Sequence, residues 1–369
     1  MWTLAWKNLL KERIRLVISV GGVGLAVMLI IMLRGLFVSY EYRAGEYFNH
    51  VGRNSWVWQR NTASTFNSVS LVPDALRGEI QRIPGVEQVR PFVVRPVGIT
   101  IHGSESSQLV VGFDPRDPVT GPVRLVRGTL QVGPNGIIVD QIFASRYHLD
   151  LGQRLTVLGH RFTIDGISAD GDMVLYQYAF VSLPTARALW GMDNVDNALV
   201  LTLRPRADEA RIAAQVQRLS PSIVVKSSEQ VIAEHQQVVN DAFLPVIAVL
   251  LTLGFLVGGA VIGLTIYSAV LEKRREYGML KAIGSQGYQT AFVVLAQALI
   301  TGVAGYLIGV GLAQVAGAVT TAWVPQFVTE ILPTDLAWIA LVAIASSALA
   351  SAIPLLRINR IDPAEVFRA

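Results

Sequence analysis

Residues 272–285, EKRREYGMLKAIGS, set four basic and two acidic side chains between two long uncharged runs. Tyr277, Leu280 and Ile283 recur at three-residue spacing with Met279 beside them. A helix here therefore carries an apolar stripe, with Lys273, Arg274, Glu276 and Lys281 distributed around it. Gly284 is a natural helix stop, and Ser285 can open the next turn. That chemistry is adhesive rather than catalytic. A short amphipathic helix of this kind lies on anionic lipid or docks into a groove of another protein, and composition alone does not separate the two.

Elsewhere the reactive side chains form no constellation. His50, His102, His148, His160 and His235 are scattered without metal-ligand spacing, so surface or hydrogen-bonded structural roles are expected for each and no metal site is expected. No H-E-x-x-H or G-x-S-x-G occurs, so no catalytic residue is assigned and a membrane-bound enzyme is disfavoured. No Gly-x-x-x-x-Gly-Lys-Ser/Thr pattern occurs either, so the chain is not expected to hold ATP in a phosphate-binding loop of its own.

The elements around these residues follow from hydropathy. Hydrophobic residues make up 52% of the 369 and charged ones only 16%, too apolar for an ordinary soluble protein. Residues 16–33, 242–271, 282–329 and 336–356 are free of charge, and a span needs about 20 apolar residues, so these runs predict four membrane helices. The first run exceeds the roughly 7–15 residues of a signal-peptide core and no small-x-small cleavage site follows, so an uncleaved span is expected. Lys7, Lys11, Arg13 and Arg15 precede it, Lys273, Arg274, Arg275 and Lys281 follow the second run, and Arg357, Arg360 and Arg368 follow the last. The positive-inside rule then puts both termini and the 272–288 segment in the cytoplasm.

The expected order is a cytoplasmic amphipathic segment (1–15), a first span (16–38), an extracytoplasmic domain (39–241), a second span (242–271), a cytoplasmic helix (272–288), a third span (289–323), an outer loop (324–335), a fourth span (336–356) and a cytoplasmic tail (357–369). Residues 39–241 carry 19 basic against 20 acidic side chains, so the excess base sits on the cytoplasmic rim and nucleic-acid binding is disfavoured. With no cysteine, the exported domain must build its own core without disulfides.

That domain reads as mixed α/β. Strands are predicted at 55–59, 93–101, 108–113, 136–139, 154–158, 161–167, 178–182 and 198–203, with helices at 74–82, 141–147, 184–190 and 208–219. Two subdomains with the chain crossing between them would accommodate such short elements. Residues 227–241 contain helix formers and lead toward the second span as a stiff rod, with Pro245 tolerable near the first turn of that span.

Within the membrane, Gly254 with Gly258, Gly259 with Gly263, and Gly305 with Gly309 recur at helical spacing, which suits either a dimer interface or packing inside one subunit. Arg34 is expected to snorkel to the outer interface, and Trp323 and Trp338 suit the outer aromatic belt. No charged side chain falls in 242–271, 291–323 or 336–356. A hydrophilic conduit or ion relay is therefore not expected, and any energy must come from elsewhere.

The 272–284 segment resembles the E-R-R-x-E-I-G-x-L-R-A-x-G signature of the FtsX/MacB/LolCE permeases, the type VII ABC transporters. Ala5-Trp6-Lys7-Asn8-Leu9-Leu10 is similar to the family's N-terminal segment, Ile361-Asp362-Pro363-Ala364-Glu365-Val366 to its C-terminal ending, and 136–168 to its extracytoplasmic domain. The start of the chain and the lack of a fused ATPase resemble the DevC-like permeases most. Tyr277 stands where the family usually has Ile, and Lys273 and Lys281 where it has Arg.

The resemblance implies an α-helical membrane domain of one plus three spans, with a MacB-like periplasmic core domain inserted after the first. It implies a non-catalytic permease of the bacterial cytoplasmic membrane that recruits two copies of an ABC ATPase, pairs with a second permease copy as a homodimer or with a paralogue, contacts membrane lipid and admits a periplasmic adaptor. Arg274, Arg275, Glu276, Tyr277, Gly278, Leu280, Lys281 and Gly284 would contact the ATPase. ATP and Mg would sit on that partner, with no cofactor on this chain. Mechanotransmission to the outer domain would then drive export of a lipid, peptide or drug-like substrate. A signalling scaffold that activates a cell-wall hydrolase and a lipoprotein extractor are the alternatives within the family.

Overall fold

The computed structural model describes residues 13–52, 54–62, 69–101, 104–170, 177–272, 287–324 and 327–352. They form two compact units, one made of the chain up to Ser39 together with the chain from Phe243, the other of Tyr40–Ala242.

The second unit is built on one large sheet. Its strands are β1 (Ser55–Gln59), β3 (Val86–Ile101), β4 (Ser104–Phe113), β5 (Arg124–Gly128), β6 (Gly136–Asp140), β7 (Arg154–Val157), β8 (His160–Ala169), β9 (Gln177–Ser182), β11 (Ala198–Leu203) and β12 (Ile223–Ser227). The order is β12-β1-β11-β3-β4-β9-β6-β8-β5, with β7 pairing both β3 and β8. The β4/β9 and β6/β8 pairs are parallel and the others antiparallel. A separate two-stranded ladder joins β2 (Val72–Pro73) to β10 (Val195–Asp196).

The two expected subdomains share this one sheet, because β3 is 16 residues long and serves both halves. Its residues 86–92 pair with β11 and its residues 93–101 with β4. Side chains alternate along it: Phe92 and Val94 join one core, while Val93, Val97 and Ile99 join another. Short helices cover much of the sheet. Leu76 and Ile80 of α2 (Ala75–Gln81) and Ile212 and Val216 of α5 (Glu209–Leu219) pack with Val57, Leu199 and Leu201. Phe143 and Ala144 of α3 (Gln141–Arg146) and Ala186 of α4 (Leu183–Trp190) pack with Val93, Ile137 and Val139.

The remaining core is aromatic. Trp56, Trp58, Phe92, Phe113, Tyr178 and Phe180 gather with Ala44, Tyr47, Phe48 and Val51 from the end of α1 (Arg13–Val51) and Val231 from the start of α6 (Ser228–Glu272). The helix that begins as the first span thus runs on past residue 38 to Val51. Residues 44, 47, 48 and 51 fall on one helical face, and burying that face sustains the extension. Pro245 lies well inside α6 rather than near a helix start. Its missing N–H removes one hydrogen bond from the helix ladder there.

The first unit holds the apolar parts of α1 and α6 with α7 (Gly287–Trp323) and α8 (Pro333–Ala350). Among the described residues these four helices are long and apolar enough to cross a membrane. α8 begins at Pro333, inside the expected outer loop, because proline is well suited to a first helical position.

Candidate functional site

Every residue of the expected ATPase-contacting set, Arg274, Arg275, Glu276, Tyr277, Gly278, Leu280, Lys281 and Gly284, lies outside the described residues. So do the family-like stretches at 5–10 and 361–366. The described residues flank the set, with α6 described as far as Glu272 and α7 from Gly287.

The membrane glycines are described, and they divide. A Cβ added to Gly254 would lie 3.3 Å from Ile30 Cγ1, and one added to Gly258 would lie 3.5 Å from Ala26 Cβ, so both face α1. One added to Gly263 would lie 3.3 Å from the Ala350 carbonyl oxygen of α8. Gly259 differs, since nothing lies within 4 Å of its added Cβ. It lines a groove of about 980 Å³ between α6 and α8, together with Phe255, Gly263, Tyr267, Val342 and Leu349.

Gly305 and Gly309 are the tightest of the predicted pairs. An added Cβ on Gly305 would come within 2.5 Å of Val23 Cγ1, and one on Gly309 within 2.8 Å of the Gly24 carbonyl oxygen. Gly24 answers from the other side, its added Cβ lying 3.4 Å from the Gly305 carbonyl oxygen. In lipid no hydrophobic force draws helices together, so this backbone approach lets dispersion contacts hold α1 to α7. α6 is less enclosed. Only 11% of its most apolar stretch is buried inside the chain, against 44% for α1 and α7.

Arg34 is not a lone snorkelling cation. Its Nε donates to Asp335 Oδ1 at 3.1 Å, and Trp338 Nε1 donates to the same oxygen at 2.9 Å. The guanidinium also stacks 5.3 Å from the Phe37 ring centroid. The Glu330 N–H donates to the Gly35 carbonyl oxygen, tying the segment before α8 to α1. Trp323 is exposed on the surface of this unit.

In the sheet unit, the ends of α1 and α6 interlock. A Cβ on Gly45 would lie 2.6 Å from Ile232 Cγ2, so the two helices touch there. Phe48 packs against the His235 ring, tilted 45° with centroids 4.4 Å apart. The Tyr47 hydroxyl donates to the Thr120 carbonyl oxygen at 2.7 Å while its ring stacks on Tyr178 at 4.6 Å. Gln236 Nε2 donates to the Glu41 carbonyl oxygen at 3.3 Å. His235 is the buried histidine among the described ones, held through Nδ1 against the Val231 carbonyl oxygen at 2.7 Å. His50, His148 and His160 are exposed, and His102 lies outside the described residues. No group of three or more potential metal-ligating His, Cys, Asp or Glu residues occurs among the described residues. Composition did not single out this aromatic lock, though the 44, 47, 48, 51 spacing would have revealed it.

One apolar helix before an inserted α/β sheet domain and three after it are the architecture of a multi-pass membrane permease. Residues 16–219 match the MacB-like periplasmic core domain and residues 248–363 the FtsX-like permease C-terminal domain, so the chain belongs to the MacB/FtsX family of ABC transporter permeases. Similar proteins agree along its length. An uncharacterised ABC transporter permease of Mycobacterium tuberculosis is 25% identical over 370 residues, covering 96% of this chain and 95% of the relative. The macrolide export ATP-binding/permease protein MacB of Nitrosomonas europaea is 21% identical over 344 residues, 86% of this chain but 52% of that protein. The periplasmic region of MacB from Actinobacillus actinomycetemcomitans overlays 49% of this chain and 91% of its own at 10% identity, with a TM-score of 0.40. A permease of this kind is a multi-pass protein of the inner membrane and has an ATPase for a partner.

Proposed function

We propose that this permease converts ATP hydrolysis on separate ATPase subunits into movement of its extracytoplasmic domain, and that the movement exports a lipid, peptide or drug-like substrate. The observation that supports this most is α6, a helix continuous from Ser228 to Glu272, the residue that opens the signature segment. A push on residues 272–288 would travel along that helix, because a helix resists axial compression through its own hydrogen-bond ladder. The charge-free spans fit the same reading, since no hydrophilic path through the membrane is required.

Both termini and the 272–288 segment then face the cytoplasm. ATP and Mg are held by the partner, and two ATPase copies serve two permease copies. The groove beside Gly259, on the least enclosed helix, would seat the second copy, whether identical or a paralogue.

The decisive test is Arg274→Ala with Glu276→Ala in the full chain, co-purified with its cognate ATPase. We expect loss of the complex and of permease-stimulated ATP turnover. Wild-type levels of both would remove the coupling role from this segment.

A further inference from the structure

The two faces of the large sheet are covered differently. On one face a single aromatic core runs across both halves, from Trp56 and Phe92 to Phe113 and Phe180. The other face carries two cores, one holding Val57, Val89 and Leu199 under α2 and α5, the other holding Val93, Ile137 and Val139 under α3 and α4. The β2/β10 ladder lies on the seam between them, with Val72 of β2 in the first core and Val195 of β10 packed against the second. It is a thin ladder, since two residue pairs make it and Pro73 has no N–H to contribute.

An ion triad crosses the same seam. Arg187 belongs to α4 on one side, Asp74 precedes α2 on the other, and Asp196 ends β10 between them. One nitrogen, Arg187 Nη2, serves both carboxylates, donating to Asp196 Oδ1 at 2.6 Å and to Asp74 Oδ1 at 3.1 Å. A single positive charge cannot balance two negative ones, and the Asp196 side chain is fully buried, so the doubly ionised pair is disfavoured where it sits. Burial accordingly pushes the Asp196 carboxyl up to about 6, with Arg187 opposing the shift and Asp74 adding to it. The other charged neighbours are Arg77 of α2, 3.9 Å from Asp74 Oδ1, and the exposed Asp193 three residues before Asp196. Of the cations on β3, Arg90 pairs with Asp117, and neither it nor Arg95 is among the groups that shift Asp196.

We propose that this triad is a proton-controlled latch on the seam between the two cores. With a proton on the carboxyl pair, Arg187 ties α4 to the start of α2 and the ladder stays closed. With both carboxyls ionised the pair repels, the ladder parts, and the two halves flex about β3, the strand they share. The aromatic core on the far face stays whole, so this opening is local rather than an unfolding. Opening returns the Asp196 carboxyl to water and to its ordinary range, so protons favour the closed latch. The latch does not depend on the coupling role proposed for residues 272–288.

Hydrogen exchange of the full chain in lipid nanodiscs, read by mass spectrometry and corrected for the intrinsic pH dependence of amide exchange, tests the latch. Residues 70–77 and 192–198 should lose about tenfold in protection between pH 5 and pH 8. Both segments should be less protected than β6 at each pH, because they open without unfolding the cores. Asp196→Asn should abolish the pH step and Asp74→Asn should reduce it, while Asp114→Asn, at an exposed ion pair with Arg116, should leave it unchanged. Arg187→Gln unties the bridge and should lower the protection of both segments already at pH 5. Protection that ignores pH, a full pH step in folded Asp196→Asn, or protection equal to that of β6 at each pH would overturn the proposal. Should a variant fail to fold, the pH step of the two segments and their protection relative to β6 in the unsubstituted chain decide alone.

Discussion

Asp196 sits in DNVDNA, a run that reads as an exposed turn, yet its side chain is fully buried. The β2/β10 ladder brings it beside Asp74, and Arg187 Nη2 bridges the two, donating to Asp196 Oδ1 at 2.6 Å and to Asp74 Oδ1 at 3.1 Å. Burial pushes the Asp196 carboxyl up to about 6, with Arg187 opposing the shift and Asp74 adding to it. A carboxyl whose folded value lies above its unfolded one binds its proton more tightly in the fold. Its contribution to stability is complete below about pH 4 and is lost as pH rises through about 6. Asn cannot titrate, so the melting temperature of Asp196→Asn should rise relative to that of the unsubstituted chain between pH 4 and pH 7, read by tryptophan fluorescence. Parallel pH profiles for the two would show that the carboxyl titrates normally. Neither the burial of Asp196 nor its meeting with Asp74 and Arg187 was legible in the sequence, because both depend on residues far apart in the chain meeting across a strand pair.

Elements are more legible than single residues. Strands β1 and β11 and the helices α2 to α5 form close to where β-branched runs, prolines and capping residues put them, because those signals act over a few neighbouring residues. Asp140, Ser182 and Asp208 accept from the first-turn N–H groups of α3, α4 and α5. Strands β5 and β12 escape the pattern. They close the two ends of the sheet, and the RLVRG run of β5 is mostly exposed, so it lacks the alternation by which a half-buried strand is recognised. The reach of α1 to Val51 escapes it too, since charged residues interrupt the hydropathy before the aromatic face resumes. That face makes a prediction about the α1/α6 contact. Gly45→Val would push into Ile232 and should destabilise the sheet unit by about 1–3 kcal/mol, an overpacking effect. Adding Ile232→Ala should recover part of the loss in thermal melts. A melting temperature equal to that of the unsubstituted chain would mean that the helices are not in contact there.

The proposed pairing with a second permease copy poses a different question, which helix face would meet it. Gly254, Gly258, Gly305 and Gly309 all face neighbours within the chain, whereas Gly259 opens on the α6/α8 groove. Gly259→Leu should therefore keep the fold and its melting temperature but abolish self-association in a cross-linking or mass-photometry assay of the chain in nanodiscs. Gly309→Leu, which must displace the backbone at Gly24, should instead lower stability. Self-association that survives Gly259→Leu would move the interface elsewhere. The amino-acid order alone was enough to read this protein as four spans with an inserted α/β domain and as a member of its permease family. Those properties rest on runs of apolar residues and on compact signatures, and both are local. The sharing of β3 between the two halves of the sheet, the Arg34–Asp335 pair, and the division of the glycines between internal packing and an open groove emerged only once the chain was folded. Each depends on which distant residues share a contact, and residues of one type at one spacing serve equally well on either side of a helix or sheet until packing chooses between them.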